Sequence, residues 1–287
     1  MTMDTPYSPL NFLDQLEIPS LGPFEPPTEK WGKLILCLQC LVVLTAGINE
    51  IKNPTPYSKF ATKQKNNTPQ RQIESRKGML LLYTPSMVLA AIVCCLQHQQ
   101  QHNNTTFITG YLLTIHFLKR VLETAFLHKY SGTMDFATCI GISTFYSLTT
   151  LLNATTAFPF TSKSVQTFGI LVFASGEIGN LYHHYLLRTL RTNNNNTTTA
   201  SSANKKKRYV PPQGGLFQWV AAPHYLLEII AFLGMAMTSL SLHSLLIALG
   251  MTSYLAGRAK ITQKFYQKVF TEFEWPKERK AILPFLF

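Results

Sequence analysis

From Gly176 to Arg191 the chain reads GEIGNLYHHYLLRTLR, inside and at the edge of a long apolar run. At 100° per residue on a helix, Glu177, Asn180, His184, Arg188 and Arg191 fall within a sector of roughly 80°. Leu181, Leu186, Leu187 and Leu190 take the rest of the surface. An acid, an amide, an imidazole and two guanidinium groups on one face of such a helix require a polar object opposite. Two objects meet that need. One is a set of polar side chains on neighbouring helices, and the other is a buried anionic ligand gripped by the arginines.

Working outward, apolar residues make up 46% of the 287 positions and charged residues 14%, with the apolar ones gathered in long blocks. That distribution predicts an all-α, polytopic membrane protein with seven transmembrane helices. The expected spans cover about 33–52, 78–97, 107–128, 136–158, 166–188, 219–238 and 240–257. The net charge of +12 is not that of a nucleic-acid binder, because the charge alternates between successive connections. Of 26 Lys and Arg, only Lys30, Lys33 and Lys163 fall on the other side of the membrane from the rest. By the positive-inside pattern the N-terminus is then lumenal and the C-terminus cytosolic, which needs an odd number of crossings.

Residues 1–30 are acidic and proline-rich, with no basic start or early apolar core of a cleavable signal, and are expected to form an arm. Residues 31–287 are expected to form one membrane domain. TNNNNTTTASSAN, 192–204, is expected to be a flexible insertion, and the basic stretch from Arg258 an amphipathic tail. The five cysteines sit within apolar stretches, and Cys37-x-x-Cys40 has no second ligand pair, so no metal is expected. Neither a Walker sequence nor a GxGxxG motif is present.

Three further constellations carry chemistry. His116, Arg120 and Glu123 share one face at i, i+4, i+7. In PQGGLFQWVAAPHYLLEII, His224 and Glu228 share a face, Tyr225 stands beside them, and a carboxylate at the depth of Glu228 needs a partner or a proton. Arg258, Lys260, Lys264 and Tyr266, joined by Arg188, Arg191, Arg120 and Lys59, would make a basic mouth. Such a mouth suits a polyanionic dinucleotide, a coenzyme A thioester or anionic lipid headgroups.

NLYHHYLLRTLR, YVPPQGGLF, PHYLLEI, GRAKITQKFY and WPKERKAILPFLF together resemble the steroid 5α-reductase family, whose C-terminal region is similar to residues about 130–287. KRVLETAFLHKYSGTM is closer to the trans-2-enoyl-CoA reductases of the same superfamily. The resemblance implies a multi-pass enzyme of the endoplasmic reticulum membrane. It implies NADPH-dependent reduction of a carbon–carbon double bond conjugated to a carbonyl, in a steroid-type lipid. A very-long-chain enoyl-CoA and, less closely, a polyprenal are the alternative substrates. By the same resemblance, Asn180, Arg188, Arg191, Tyr209, His224, Glu228, Arg258 and Tyr266 contact NADPH. Tyr57 and Lys59 close over it, and Arg120 belongs to the same set. The implied partners are the lipid or steroid substrate, membrane lipids, and other fatty-acid-elongation or sterol enzymes, with no nucleic acid.

His184 stands where steroid 5α-reductases place an aspartate, Tyr83 where they place a substrate-binding glutamate, and Phe117 where they have a tyrosine. Hydride addition to the β-carbon of an enone calls for a hydrogen-bond donor at the carbonyl oxygen and an acid at the α-carbon. Tyr225 and Tyr83 are the candidates, with Glu228 fixing the cofactor's ribose or amide. A transporter, an inactive scaffold of reductase fold, and an S-adenosylmethionine-dependent methyltransferase are the rival readings of the intramembrane charges.

Overall fold

Each long apolar block forms a helix, and most of the interruptions between blocks contain Pro, Gly or Asn, the break at Leu240 and Ser241 being an exception. In the computed structural model, residues 12–55, 71–99, 104–158, 163–196 and 210–285 are described. After a short helix α1 (Phe12–Gln15), the chain forms α2 (Lys30–Lys52), α3 (Ser75–Gln99), α4 (Asn104–Leu122), α5 (Phe136–Thr155), α6 (Lys163–Asn196), α7 (Pro223–Ser239) and α8 (Leu242–Val269). Two three-residue strands, β1 (Gln72–Glu74) and β2 (Thr133–Asp135), pair antiparallel with Ile73 opposite Met134. This clasp sets the starts of α3 and α5 side by side. At the start of α5 the Asp135 carboxylate accepts from the Thr138 backbone N–H at 2.8 Å, an N-cap.

The all-α expectation holds, but the expectation of seven transmembrane helices does not. Among the described residues, two helices, α2 and α3, are long and apolar enough to cross a membrane. The others are shorter or too polar. α7 has 17 residues; α4 opens on Asn104, Thr105 and Thr106 and closes on Lys119 and Arg120; α6 carries Glu177, Asn180, His183, His184 and Arg188. With the odd number of crossings goes the argument that placed the N-terminus lumenal and the C-terminus cytosolic.

Two further boundaries shift. α6 continues to Asn196, into the stretch expected to be a flexible insertion. The C-terminal stretch is part of the core: the Ala221 N–H donates to Lys280 O at 2.8 Å, the Lys280 N–H to Trp219 O at 2.9 Å, and Ala281 and Ile282 are buried. The N-terminal arm is also tied down, through Glu25 N–H to Leu240 O and Leu242 N–H to Glu25 O, both at 2.9 Å.

Two helix pairs pack backbone against backbone. A Cβ at Gly176 of α6 would lie 2.5 Å from Ala231 N and 2.7 Å from Leu227 O of α7. One at Gly257 of α8 would lie 2.5 Å from Gly47 O of α2. Small residues at these crossings give close, dispersion-rich contact. The α6–α7 contact matters most here, because Glu177, the next residue, is thereby aimed at a fixed depth.

Gly176→Leu therefore lowers stability by about 1–3 kcal/mol or more, since backbone atoms must move to admit the side chain. Gly141→Ala, on a helix surface with nothing within 4 Å of the new carbon, leaves stability unchanged or raised. Thermal melting of the two variants checks the contrast. Equal melting temperatures would show that the α6–α7 approach is looser than described.

Candidate active site

The inward face of α4 carries His116, Lys119 and Arg120, and its next turn carries Glu123. Its outward face carries Ile115, Leu118 and Leu122, all exposed. Leu112, Leu113 and Phe117 are buried beside the polar groups, so the inward face of α4 is mixed while its outward face is apolar. After Leu122 the helix widens to a π-helix, Glu123–Leu127, closed by the His128 N–H donating to Glu123 O at 2.8 Å. Such widened turns recur at functional sites.

The α6 stripe meets this face. His116 Nδ1 stands 2.6 Å from Glu177 Oε1, and Lys119 Nζ stands 2.8 Å from Glu177 Oε2. Lys119 also donates to Asn180 Oδ1 at 2.6 Å, and Asn180 Nδ2 donates to the backbone oxygen of His224 at 2.8 Å. Asn180, 1% exposed, is thus a strut joining α4, α6 and α7 through both ends of its amide. Of the two objects considered for the stripe, protein partners take the inner half.

Arg120 occupies the centre. Its Nη1 donates to Glu123 Oε2 at 3.0 Å and its Nη2 to the Tyr83 hydroxyl at 2.7 Å, while the guanidinium lies 4.9 Å from the Tyr83 ring centroid. Glu228 Oε2 is 4.0 Å from Nη2. His184 Nδ1 is 3.1 Å from Glu123 Oε2 and 3.4 Å from Arg120 Nη1. Burial alone would raise the Glu123 pKa, but the His184 hydrogen bond and the charges of Arg120 and Lys119 outweigh it and hold the carboxyl well below the usual range. Burial, with the charges of Arg120 and Lys119, pushes the His184 pKa down against the opposing pull of Glu123. In Glu177, burial raises and the contacts to His116 and Lys119 lower, leaving a pKa of about 2.

Glu123, His128 and His184 put three metal-ligand atoms within 4.8 Å of one another. The Arg120 guanidinium contacts two of the three, Glu123 and His184.

A second device sets the turn before α7. The His183 Nε2 accepts from the Leu216 N–H at 3.1 Å while Nδ1 faces Gly179 O at 2.8 Å, which fixes the proton on Nδ1. Gly215, at φ +51°, leaves room for this ring, since a Cβ there would lie 2.7 Å from Nε2.

The expected site residues separate into groups. Tyr83, Arg120, Asn180 and Glu228 come together in one polar core, with the ring of His224 5.3 Å from that of His184 and 4.3 Å from that of Tyr225. Arg258 is elsewhere: 1% exposed, it bonds Glu50 Oε1 at 2.6 Å and Thr55 O at 2.9 Å, latching α8 to α2. Tyr266 packs on Trp275 and Phe270 at the C-terminal end. Arg188 is exposed near the end of α6. Tyr57, Lys59 and Tyr209 lie outside the described residues, as does the Arg191 side chain. Sequence reasoning missed Lys119, His183 and Glu50. Lys119 had a signal in its i, i+4 spacing to Glu123, and Glu50 in being an acid inside an apolar run.

Ionised side chains and a guanidinium-held phenol thus form the polar core of an all-α bundle. Residues 123–287, more than half the chain, match the family described as 3-oxo-5-alpha-steroid 4-dehydrogenase, and the chain belongs to that family. It is 35% identical over 119 residues to 3-oxo-5-alpha-steroid 4-dehydrogenase 2 of Homo sapiens, covering 42% of each chain. It is 33% identical over 119 residues to a steroid 5-alpha-reductase of Solanum lycopersicum, covering 42% of this chain and 41% of the relative. It is 30% identical over 181 residues to the very-long-chain enoyl-CoA reductase of Dictyostelium discoideum, covering 60% and 55%. The chain thus spans about half the length of the curated relatives it matches.

The depressed carboxylates make stability pH-dependent in one direction. Their contribution is complete above the ordinary carboxylate pKa of 4.5 and is lost as pH falls from there toward about 2. Melting temperature falls across that window, and Glu177→Gln, which has no proton to gain, shows a flatter profile. An unchanged slope in the variant would remove Glu177 from the network.

Proposed function

We propose that the chain is an NADPH-dependent oxidoreductase that saturates a carbon–carbon double bond conjugated to a carbonyl in a lipid. The observation that carries this reading is Glu228. The carboxylate is 6% exposed, and among the described residues its one ion-pair partner stands at 4.0 Å, beyond hydrogen-bond reach. A buried carboxylate so poorly matched calls for a donor from outside the protein. The amide or ribose hydroxyls of a nicotinamide cofactor supply such donors, and Arg188, exposed near the end of α6, suits a phosphate. His224 and Tyr266 complete the set that would hold the cofactor. Asn180 and Arg258 support the fold around it, since their polar atoms already serve other helices.

When bound, NADPH supplies the hydride for the β-carbon. The chain's own share is to exclude water, hold the carbonyl oxygen and deliver a proton to the α-carbon. Tyr83 and Tyr225 are the phenols near Glu228, and Tyr83 is the one whose oxygen accepts a guanidinium N–H, so a tyrosinate formed there is stabilised.

The substrate is membrane-borne in this reading. α2 exposes Leu38, Leu41, Leu44 and Ile48, and α4, α5 and α6 expose Leu118, Leu148 and Leu171, a surface suited to lipid. The endoplasmic reticulum membrane is the proposed location. One observation favours an enoyl thioester beside a 3-oxo-Δ4 steroid. The similarity to the enoyl-CoA reductase of Dictyostelium discoideum covers 60% of this chain, against 42% for the steroid enzymes.

Purified chain in detergent should oxidise NADPH when given a 3-oxo-Δ4 steroid or a trans-2-enoyl-CoA. Tyr83→Phe, which keeps the ring, should lower kcat by about 10²–10³ while NADPH affinity stays within a few-fold. Absence of NADPH consumption with both substrates, in protein that melts cooperatively and binds NADPH, would sink the proposed activity.

A further inference from the structure

Two carboxylates compete for one guanidinium in the polar core. Arg120 is offered Glu123 at 3.0 Å and Glu228 at 4.0 Å, from different helical segments. Coulomb attraction falls only as the inverse of distance, so Glu228 is a real competitor in a buried site. Glu123 meets Nη1 while Glu228 lies nearest Nη2, so the carboxylate that the guanidinium follows decides whether Nη2 stays on Tyr83. As the core stands, Nη2 points at the Tyr83 oxygen, 2.7 Å away.

Glu123 wins through local geometry. It lies three residues beyond Arg120, so one turn brings the two side chains together. It is also the first residue of the π-helix. His184, reaching over from α6, lies 3.1 Å from the same Oε2 that Arg120 uses. Lys119 Nζ stands 3.7 Å from Oε1. The carboxylate is thereby held from both sides and cannot follow Arg120 if the guanidinium swings.

We propose that Glu123, steadied by His184, is a positioning residue that keeps Arg120 on the Tyr83 phenol and off Glu228. Glu123 touches no reacting atom in this arrangement. It acts through Arg120, and it leaves Glu228 to the cofactor. The proposal rests on the reading of Tyr83 as proton donor given above, but its geometric half stands without it. A carboxylate at position 184 would reach the same guanidinium, because an aspartate oxygen branches from Cγ as the His184 Nδ1 does, and that nitrogen is 3.4 Å from Arg120 Nη1.

The test is a carboxylate moved from one helix to the other. With a trans-2-enoyl-CoA or a 3-oxo-Δ4 steroid as probe, Glu123→Gln lowers kcat tenfold or more, with KM and NADPH affinity within threefold of wild type. Glu123→Gln combined with His184→Asp returns kcat to within threefold. A loss that the double variant does not repair, despite a wild-type melting temperature, overturns the proposal, as does a Glu123→Gln enzyme of unchanged kcat. If Glu123→Gln fails to fold, Glu123→Asp, one carbon short, carries the same kcat-against-KM comparison. Independently of turnover, a structure of the Glu123→Gln variant shows Arg120 Nη2 withdrawn from Tyr83 toward Glu228. Retention of the Tyr83 contact there overturns the proposal whatever the enzyme reduces, whereas a wild-type chain inert toward both probes counts only against the proposed activity.

Discussion

An ionised group cannot be left alone in a dry interior, and this chain buries several at once. Lys119 and Arg120 on α4 face Glu123, Glu177 and Glu228, which arrive from the π-helix, α6 and α7. Each charge is tolerable only while the others are present. Desolvation costs several kcal/mol per ion, and removing one partner of a buried pair typically costs 3–5 kcal/mol. The helices are therefore registered against one another less by apolar fit, which tolerates sliding, than by charges that must meet. The acceptors of His116 and Lys119 on α6 and the amide of Asn180 reaching α7 are the visible terms of that registration.

The constraint can be met because the backbones approach closely where they need to. Gly176 brings α6 onto α7, and Gly47 with Gly257 brings α2 onto α8, so short side chains span the gaps. At the second crossing the same logic recurs on a smaller scale, with Glu50 receiving both Arg258 and the backbone of Thr55. The two cores serve different ends. One joins Arg258 to Glu50 and to the backbone of Thr55. The other keeps a phenol and an under-partnered carboxylate among its members, which is what a site for chemistry on a bound ligand requires.

Much of this was legible in the chain. Apolar blocks located the helix starts to within a few residues, though α6 and α8 run on to Asn196 and Val269, past the expected ends at 188 and 257, and the spacing of Glu177, Asn180 and His184 pointed to a single polar face. What periodicity could not supply was the identity of the object opposite. Nothing local marks Glu177 as the partner of Lys119, 58 residues away in sequence. Nor does anything local mark Glu50 as the counter-ion of Arg258, 208 residues distant. The count of membrane-crossing helices failed for a related reason. Apolar character was read block by block, whereas α4 and α6 carry enough polar side chains to fall short of what two helices, α2 and α3, achieve. In the tail, expected to be amphipathic and basic, Ala281 and Ile282 pack inward.

The widened turn at Glu123–Leu127 has a consequence of another kind. A π-turn holds one residue more than an α-turn, so the helix before it is rotated by about 100° relative to an uninterrupted one. Everything upstream on α4, including His116, Lys119 and Arg120, owes its angular setting to that surplus residue. Deleting any one position between Glu123 and Leu127 would leave hydropathy and net charge almost as they are, yet would turn the polar face of α4 from α6 toward the exposed side. The chain carries a phase offset one residue wide, stored in the count of its backbone units and invisible to any property averaged over its side chains.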